Sequence, residues 1–147
     1  MSRRTRVLTL ALTLAVGSCG DDNPEMKTGT WGGLGIQMDV STSGATVMFC
    51  CESTGQVSEP INPDSAGEFF VRGTLSTLPA DYRGTVSGNT ARVTVTAYPP
   101  TDPGGAVLIA PNGNPYFDLT YGVGFVEKDT STNPPRGCAC LCVGCPP

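Results

Sequence analysis

The chain has no histidine, which removes the most common general base of enzymes and the most common metal ligand. It also lacks a Gly-x-Ser-x-Gly nucleophile motif and a glycine-rich phosphate loop ahead of a helix. After residue 19, no segment has a helical apolar period, and no apolar run is long enough for a transmembrane helix. These absences predict a non-catalytic protein with no cofactor and no metal site.

Basic residues are also scarce. The chain has nine Lys and Arg against thirteen Asp and Glu, and Arg3, Arg4 and Arg6 belong to its N-terminal segment. Without that segment, six basic residues remain and the net charge is −7. Nucleic acid and anionic lipid both require clustered Lys and Arg, so neither is predicted as an electrostatic partner.

The N-terminal segment has the three parts of an export signal. The three arginines precede an uncharged run, Val7–Val16, which is too short to span a bilayer, and Gly17 and Ser18 then lead to Cys19. The sequence Val16-Gly17-Ser18-Cys19 resembles the lipobox of bacterial lipoproteins. This resemblance implies that residues 1–18 are a signal peptide and that Cys19 becomes the lipid-bearing first residue, so the membrane is a partner through that lipid.

The polar stretch after Cys19 predicts a flexible tether over residues 19–27. Gram-negative lipoproteins retained at the inner membrane tend to carry an aspartate directly after the lipid cysteine, whereas this chain has Gly20. The resemblance therefore implies the cell envelope, at the outer membrane. The remaining predicted parts are a β domain over residues 28–128 and a cysteine-rich tail over residues 129–147.

Six cysteines remain once Cys19 is assigned to lipid. They are Cys50, Cys51, Cys138, Cys140, Cys142 and Cys145. An even count in an exported chain favours disulfides, because the compartment outside the inner membrane is oxidising. Cys50 and Cys51 are expected on opposite faces of a strand, so they are poorly placed to bond to each other. Each can instead take a partner in the tail, which leaves two tail cysteines to pair locally.

The tail also permits a different chemistry. In an extended strand, Cys138, Cys140 and Cys142 share one face, which suits a soft ion such as Cu(I) or Zn(II). A redox-active cysteine pair is a further alternative. Six cysteines allow 15 disulfide connectivities, and the sequence does not choose among them.

From Thr28 onwards, apolar residues alternate with polar ones at a period of two. Residues 91–97 alternate most regularly, and the turn-forming stretches 62–67 and 87–89 separate neighbouring runs. The pattern predicts an all-β domain of about seven or eight strands, as a small antiparallel barrel or alternatively a two-sheet sandwich. The carboxylates of Asp39, Glu68, Asp81 and Asp118 alternate with apolar residues and are therefore predicted on solvent-facing sides.

The only tryptophan, Trp31, follows Gly29 at the start of the first predicted strand. This Gly-x-Trp start resembles lipocalins and avidins, whose tryptophan closes one end of a calycin-type barrel over a ligand cavity. Trp31 is thus either a core plug or a ligand-contact residue, and plugs are favoured because large aromatic side chains dominate cores.

A longer resemblance covers residues 28–97. Thr30-Trp31-Gly32-Gly33, a strand that ends near one cysteine, and Gly67-Glu68-Phe69 are similar to a group of short exported bacterial proteins with no established activity. This resemblance implies the fold and the compartment and gives no activity. The predicted function is therefore a lipid-anchored envelope protein with a binding or structural role. The alternatives are a lipocalin-like binder of a small ligand and a thiol or soft-metal protein that acts through its tail.

Overall fold

The computed structural model describes residues 24–50, 53–129 and 136–137. Within these ranges the chain is all-β and contains no helix long and apolar enough to cross a membrane. The strands are β1 (Gly29–Gly33), β2 (Ile36–Ser41), β3 (Gly44–Phe49), β4 (Thr54–Val57), β5 (Glu68–Leu75), β6 (Leu78–Ser87), β7 (Thr90–Ala97), β8 (Ala106–Val107), β9 (Phe117–Tyr121), β10 (Lys128–Asp129) and β11 (Arg136–Gly137).

Eight of these strands close into an antiparallel barrel. The hydrogen-bonded order is β6-β5-β4-β3-β2-β1-β9-β7, and β7 pairs again with β6. Strand β8 pairs with the C-terminal end of β7, while β10 and β11 form a separate two-stranded sheet. Closure is the arrangement that removes exposed sheet edges. The prediction of a small antiparallel barrel is confirmed, and one continuous closed sheet takes the place of the alternative sandwich.

Apolar side chains fill the barrel. The largest fully buried ones are Trp31, Tyr82, Ile36, Met38, Leu119, Val47, Val93 and Val95. They belong to a single core cluster, and no described residue with a charged or polar side chain is buried with them. An eight-stranded barrel has an interior just wide enough for side chains to fill it, as these side chains do.

Tyr82 shows how closely this interior is packed. Its ring lies over Gly55 and Gly73, and a Cβ atom at Gly55 would overlap the Tyr82 hydroxyl group. That hydroxyl group donates a 2.7 Å hydrogen bond to the carbonyl oxygen of Thr74. Burial raises the pKa of Tyr82 well above its usual range. The two glycines therefore make room for a large neutral side chain whose one polar atom is satisfied.

We expect Tyr82→Phe to lower the free energy of unfolding by about 1 kcal/mol at pH 7, because the Thr74 carbonyl loses its donor. Above pH 10 the stability advantage of the wild type over the variant shrinks and then reverses. Tyr82 ionises in the unfolded chain but stays protonated in the folded one, so wild type loses up to about 1.4 kcal/mol per pH unit more than the variant. Urea titrations at pH 7 and pH 11 measure both effects. Parallel losses in the two proteins at high pH would contradict a buried neutral Tyr82.

The turns that border the later strands follow the predicted chemistry in two places. Gly88 has a φ of 58° at the tip of the β6–β7 hairpin, where Ser87 pairs with Thr90. In the 62–67 turn, the Asp64 carboxylate accepts hydrogen bonds of 2.9 Å from the backbone N–H groups of Ala66 and Glu68. Both turn predictions are confirmed, and the second fixes the start of β5.

The seam between β4 and β5 is short. The two strands pair only from Gly55 to Val57, although β5 pairs with β6 along all eight of its residues. Beyond the seam, a Glu59 carboxylate oxygen accepts a 2.9 Å hydrogen bond from the backbone N–H of Arg72. The Glu59 side chain thus takes the place of a strand partner at Arg72, and the part of β5 before Gly73 has no β4 residue paired with it.

The last barrel strand is shorter than its sequence suggests. The alternation predicts that five apolar residues, Phe117, Leu119, Tyr121, Val123 and Phe125, share one face. Phe117 and Leu119 are buried, but β9 ends at Tyr121, and the side chains of Tyr121, Val123 and Phe125 are more than a third exposed. Gly122, with a φ of 76°, turns the chain back over the outer side of β1, so the single-face prediction is wrong beyond Leu119.

Candidate binding face

Three arginines lie on one outer side of the barrel. Arg72, Arg83 and Arg92 come from β5, β6 and β7, which are neighbours in the sheet, and each occupies an outward position of its strand. We call this surface the arginine face and define it by Phe70, Arg72, Asp81, Arg83, Thr85, Arg92 and Thr94. It gathers half of the six basic residues that follow residue 6.

The register of the strands sets out this face as a grid. Phe70 lies opposite Arg83, and Arg83 lies opposite Thr94 on the other side. In the adjacent row, Thr85 lies opposite Arg92. Arg83 and Arg92 are therefore diagonal neighbours, at a typical separation of about 7–8 Å. The guanidinium groups of these two arginines therefore alternate with the hydroxyl groups of Thr85 and Thr94 around a square of four residues.

Arg83 is held from two sides. Its guanidinium carbon lies 4.5 Å from the centre of the Phe70 ring, in cation–π geometry, and one of its nitrogens lies 3.8 Å from an Asp81 carboxylate oxygen. The guanidinium of Arg72 approaches the same ring at 5.9 Å. Two-thirds of the Arg83 side chain remains exposed, so its donors reach solvent from an oriented group.

Arg92 is held in the same manner by a different pair. Its Nε atom donates a 2.9 Å hydrogen bond to Asp118, and its guanidinium lies 3.9 Å from the Tyr116 ring centre. The hydrogen bond to Asp118 raises the pKa of Arg92 above its usual value. Both arginines thus combine one carboxylate with one aromatic ring, an arrangement that restricts the side chain and leaves other N–H groups available to a ligand.

Asp81 lies at one edge of the arginine face, opposite Arg72. Its carboxylate accepts a 2.8 Å hydrogen bond from the Tyr98 hydroxyl group, and this bond raises the pKa of Tyr98 above its usual value. Only 15% of the Asp81 side chain is exposed. The carboxylate therefore orients Arg83 and is itself held in place by Tyr98.

An open concavity of about 520 Å³ lies on this face. Its lining residues are Asp64, Glu68, Phe69, Phe70, Arg83, Gly84, Thr85, Arg92 and Thr94. Phe70 is 46% exposed, the highest value among the exposed large hydrophobic side chains of the described residues. The concavity combines an apolar ring, cations, carboxylates and hydroxyl groups within a rigid sheet.

A second concavity, of about 430 Å³, lies on the outer side of β2, β3 and β4. It is lined mainly by small and polar residues, such as Ser41, Ser43 and Thr46, and it has no aromatic ring. It offers fewer oriented contacts to a ligand than the arginine face does.

Trp31 is fully buried, and its indole N–H donates a 2.7 Å hydrogen bond to the carbonyl oxygen of Lys27. Its ring contacts Tyr121 edge-on, with 5.3 Å between the ring centres. The side chain therefore packs as a plug and offers no exposed surface to a ligand. Met26, from the predicted tether, is also buried, so the chain is already packed on the barrel before β1 begins.

Most of the predicted cysteine chemistry lies outside the described residues. These positions are Cys19, Cys51, Cys138, Cys140, Cys142 and Cys145. Cys50 is disulfide-bonded, and its backbone N–H donates to the carbonyl oxygen of Gly35. Gly35 also donates to Val126, which lies two residues before β10, so the chain that leads to the tail passes this end of the barrel. The disulfide pairing and the alternative tail metal site stay predictions.

The alternation in the sequence predicts where the carboxylates lie but does not reveal that the arginines share a surface. Glu68, Asp118 and Asp39 are exposed, and Asp81 lies on the outer side with them, as the alternation predicts. The arginine face was missed, although a signal for it exists. Phe70 interrupts the alternation as an apolar residue at an outward position, between Glu68 and Arg72. This outward aromatic residue between two charged neighbours is the one feature of the sequence that points to this surface.

Comparisons with known proteins add no relative. No family model matches the chain, no curated protein matches it, and no solved structure matches its fold closely enough to count. The function is therefore inferred from the residues of this chain alone.

Proposed function

We propose that this protein is a lipid-anchored protein of the cell envelope with a non-catalytic binding role, and that it binds its ligand on the arginine face. One observation carries the second part of the proposal. The interior is filled by side chains, whereas the outer side of β5, β6 and β7 has oriented charged groups beside an exposed ring. Binding sites combine an apolar surface with a few polar groups fixed in direction, and this face has both.

The filled interior counts against the lipocalin-like alternative. A small ligand inside the barrel would have to displace Tyr82, Trp31 or their neighbours, all of which are buried and have their polar atoms satisfied. Displacing a packed aromatic side chain costs several kcal/mol. The outer surface requires no such rearrangement.

The anchor part of the proposal is supported by the lipobox-like sequence that ends at Cys19. The first described residue, Pro24, packs 3.5 Å from the position of a Cβ at Gly67, so the tether approaches the barrel beside the 62–67 turn. Pro24 lies five positions after Cys19, a distance of at most about 18 Å when the chain is extended. The anchor would therefore hold this end of the barrel near the membrane.

Metabolic labelling with a radioactive fatty acid tests the anchor. We expect label on the wild-type chain in the membrane fraction, and none on the Cys19→Ser variant, because serine has no thiol to acylate. Cys50→Ser is the matched control and should keep its label, because position 50 lies in the predicted β domain and outside the lipobox-like sequence. Wild-type chain that carries no fatty acid and stays in the cytosol would overturn this part of the proposal.

A further inference from the structure

The charges of the arginine face nearly balance. Arg83 and Arg92 line the concavity together with Asp64 and Glu68, while Asp81 and Asp118 bind the two guanidinium groups from its borders. A polyanion would meet at least one carboxylate beside each of these two arginines, and so would an anionic membrane surface. The face does not have the excess positive charge that either of them requires.

The same groups suit a neutral ligand that both donates and accepts hydrogen bonds. The arginines offer only N–H donors, the carboxylates offer only acceptors, and the hydroxyl groups of Thr85 and Thr94 offer both. Their positions are fixed by the strand register. A ligand with many neighbouring hydroxyl groups can satisfy such a set without bringing any charge of its own.

Phe70 supplies the remaining contact. Its ring is 46% exposed and is oriented by Arg83 and, more distantly, by Arg72. The negative face of an aromatic ring attracts polarised C–H groups, and the ring offers apolar area at little cost in conformational entropy. The C–H face of a sugar ring is apolar, while its edge carries hydroxyl groups. Arg83 lies over one face of the Phe70 ring, so a sugar would pack on the ring surface that stays exposed, with Arg83 opposite in β6 and Glu68 two residues earlier in β5.

We propose that the arginine face binds a neutral polysaccharide, with one sugar ring on Phe70, the hydroxyl groups of that ring on Arg83 and Glu68, and a following sugar on Thr94. This inference rests on the proposed function and names the ligand class of the same face. An extended chain fits better than a single sugar, because the concavity is open and crosses three strands, a distance of about 10 Å. No interior space is required.

Affinity electrophoresis of the purified full chain tests this inference. The gels contain dextran, laminarin or galactomannan as neutral polysaccharides, and dextran sulfate as the anionic arm. We expect at least one neutral polysaccharide to retard the wild-type protein. Phe70→Ala should weaken that binding about tenfold or more, because it removes the central platform. Phe70→Trp should preserve it, and Arg83→Gln should weaken it several-fold.

Phe125→Ala is the matched control, since Phe125 is 36% exposed and lies over the outer side of β1, away from this face. It should bind as wild type does. Thermal unfolding of each variant verifies that the exposed substitutions leave the barrel folded. Retardation by dextran sulfate alone, by none of the polymers, or to the same extent in Phe70→Ala as in wild type would overturn the inference. None of these results changes the fatty-acid labelling outcome, which tests the anchor separately.

Discussion

Trp31→Ala is expected to lower the free energy of unfolding by about 3–5 kcal/mol, one of the largest losses available in this chain. The side chain is fully buried in the barrel, contacts Tyr121 edge-on and donates its N–H to the carbonyl of Lys27. Alanine would leave a cavity that the rigid β-sheet cannot close, and the Lys27 carbonyl would lose its donor. Urea denaturation followed by circular dichroism measures the loss.

Trp31→Phe separates the two contributions to that loss. Phenylalanine retains most of the apolar volume but removes the donor, so we expect a loss of no more than about 2 kcal/mol. If Trp31 is a core plug, Trp31→Ala must cost more stability than Trp31→Phe. If Trp31→Ala cost less than about 1 kcal/mol, the indole would not be part of the packed core, and a role at an open barrel mouth would return.

Gly33→Ala is expected to open the seam that closes the barrel. A Cβ atom at this position would overlap the carbonyl oxygen of Asp118 in β9, and a strand backbone has little freedom to move away. Strands β1 and β9 pair at only two positions, Trp31 with Tyr121 and Gly32 with Thr120. We expect a loss of at least about 3 kcal/mol and faster hydrogen exchange in β1 and β9.

Gly104→Ala is the matched control for this substitution. Gly104 lies in an exposed loop outside the strands, and an added Cβ atom would approach only the Asp102 side chain, at 3.3 Å. Its stability should stay within about 0.5 kcal/mol of wild type. Equal effects of the two substitutions would mean that β1 and β9 do not form the closing pair.

The alternation of apolar and polar residues was enough to predict the class of fold. In β7, every second residue from Ala91 to Ala97 is buried, as its pattern requires. The closure of the barrel is harder to predict from the sequence. The pair β1–β9 joins segments about 90 residues apart and depends on glycines that permit close approach. The sequence shows such glycines but not the strand that will approach them.

The candidate site was harder to predict, because it depends on register. The β5–β6 hairpin turns at Ser76, which has a φ of 52° and stands where glycine or asparagine would normally signal a turn. Without that turn, the sequence does not reveal that Phe70 lies opposite Arg83. Each of these residues alone resembles an ordinary exposed side chain, and only the pairing makes them a surface.

The packed interior and the arginine face have separate roles in this domain. The apolar side chains, with Tyr82 and Trp31 among them, stabilise the closed sheet. The closed sheet in turn fixes Arg83 and Arg92 as diagonal neighbours, a geometry that a mobile loop would not maintain. The barrel is thus a support for its own outer surface and not a container.

Nuclear magnetic resonance of the full chain, during titration with a soluble fragment of whichever neutral polysaccharide retards it, tests most directly whether the ligand binds on the outer face of the barrel. We expect shifts of the backbone amides at Phe70, Arg83, Thr85 and Thr94, and unchanged methyl signals from inward residues such as Val47 and Val93. Shifts concentrated on those inward methyl groups would contradict binding on the outer face, because the ligand would then lie inside the barrel.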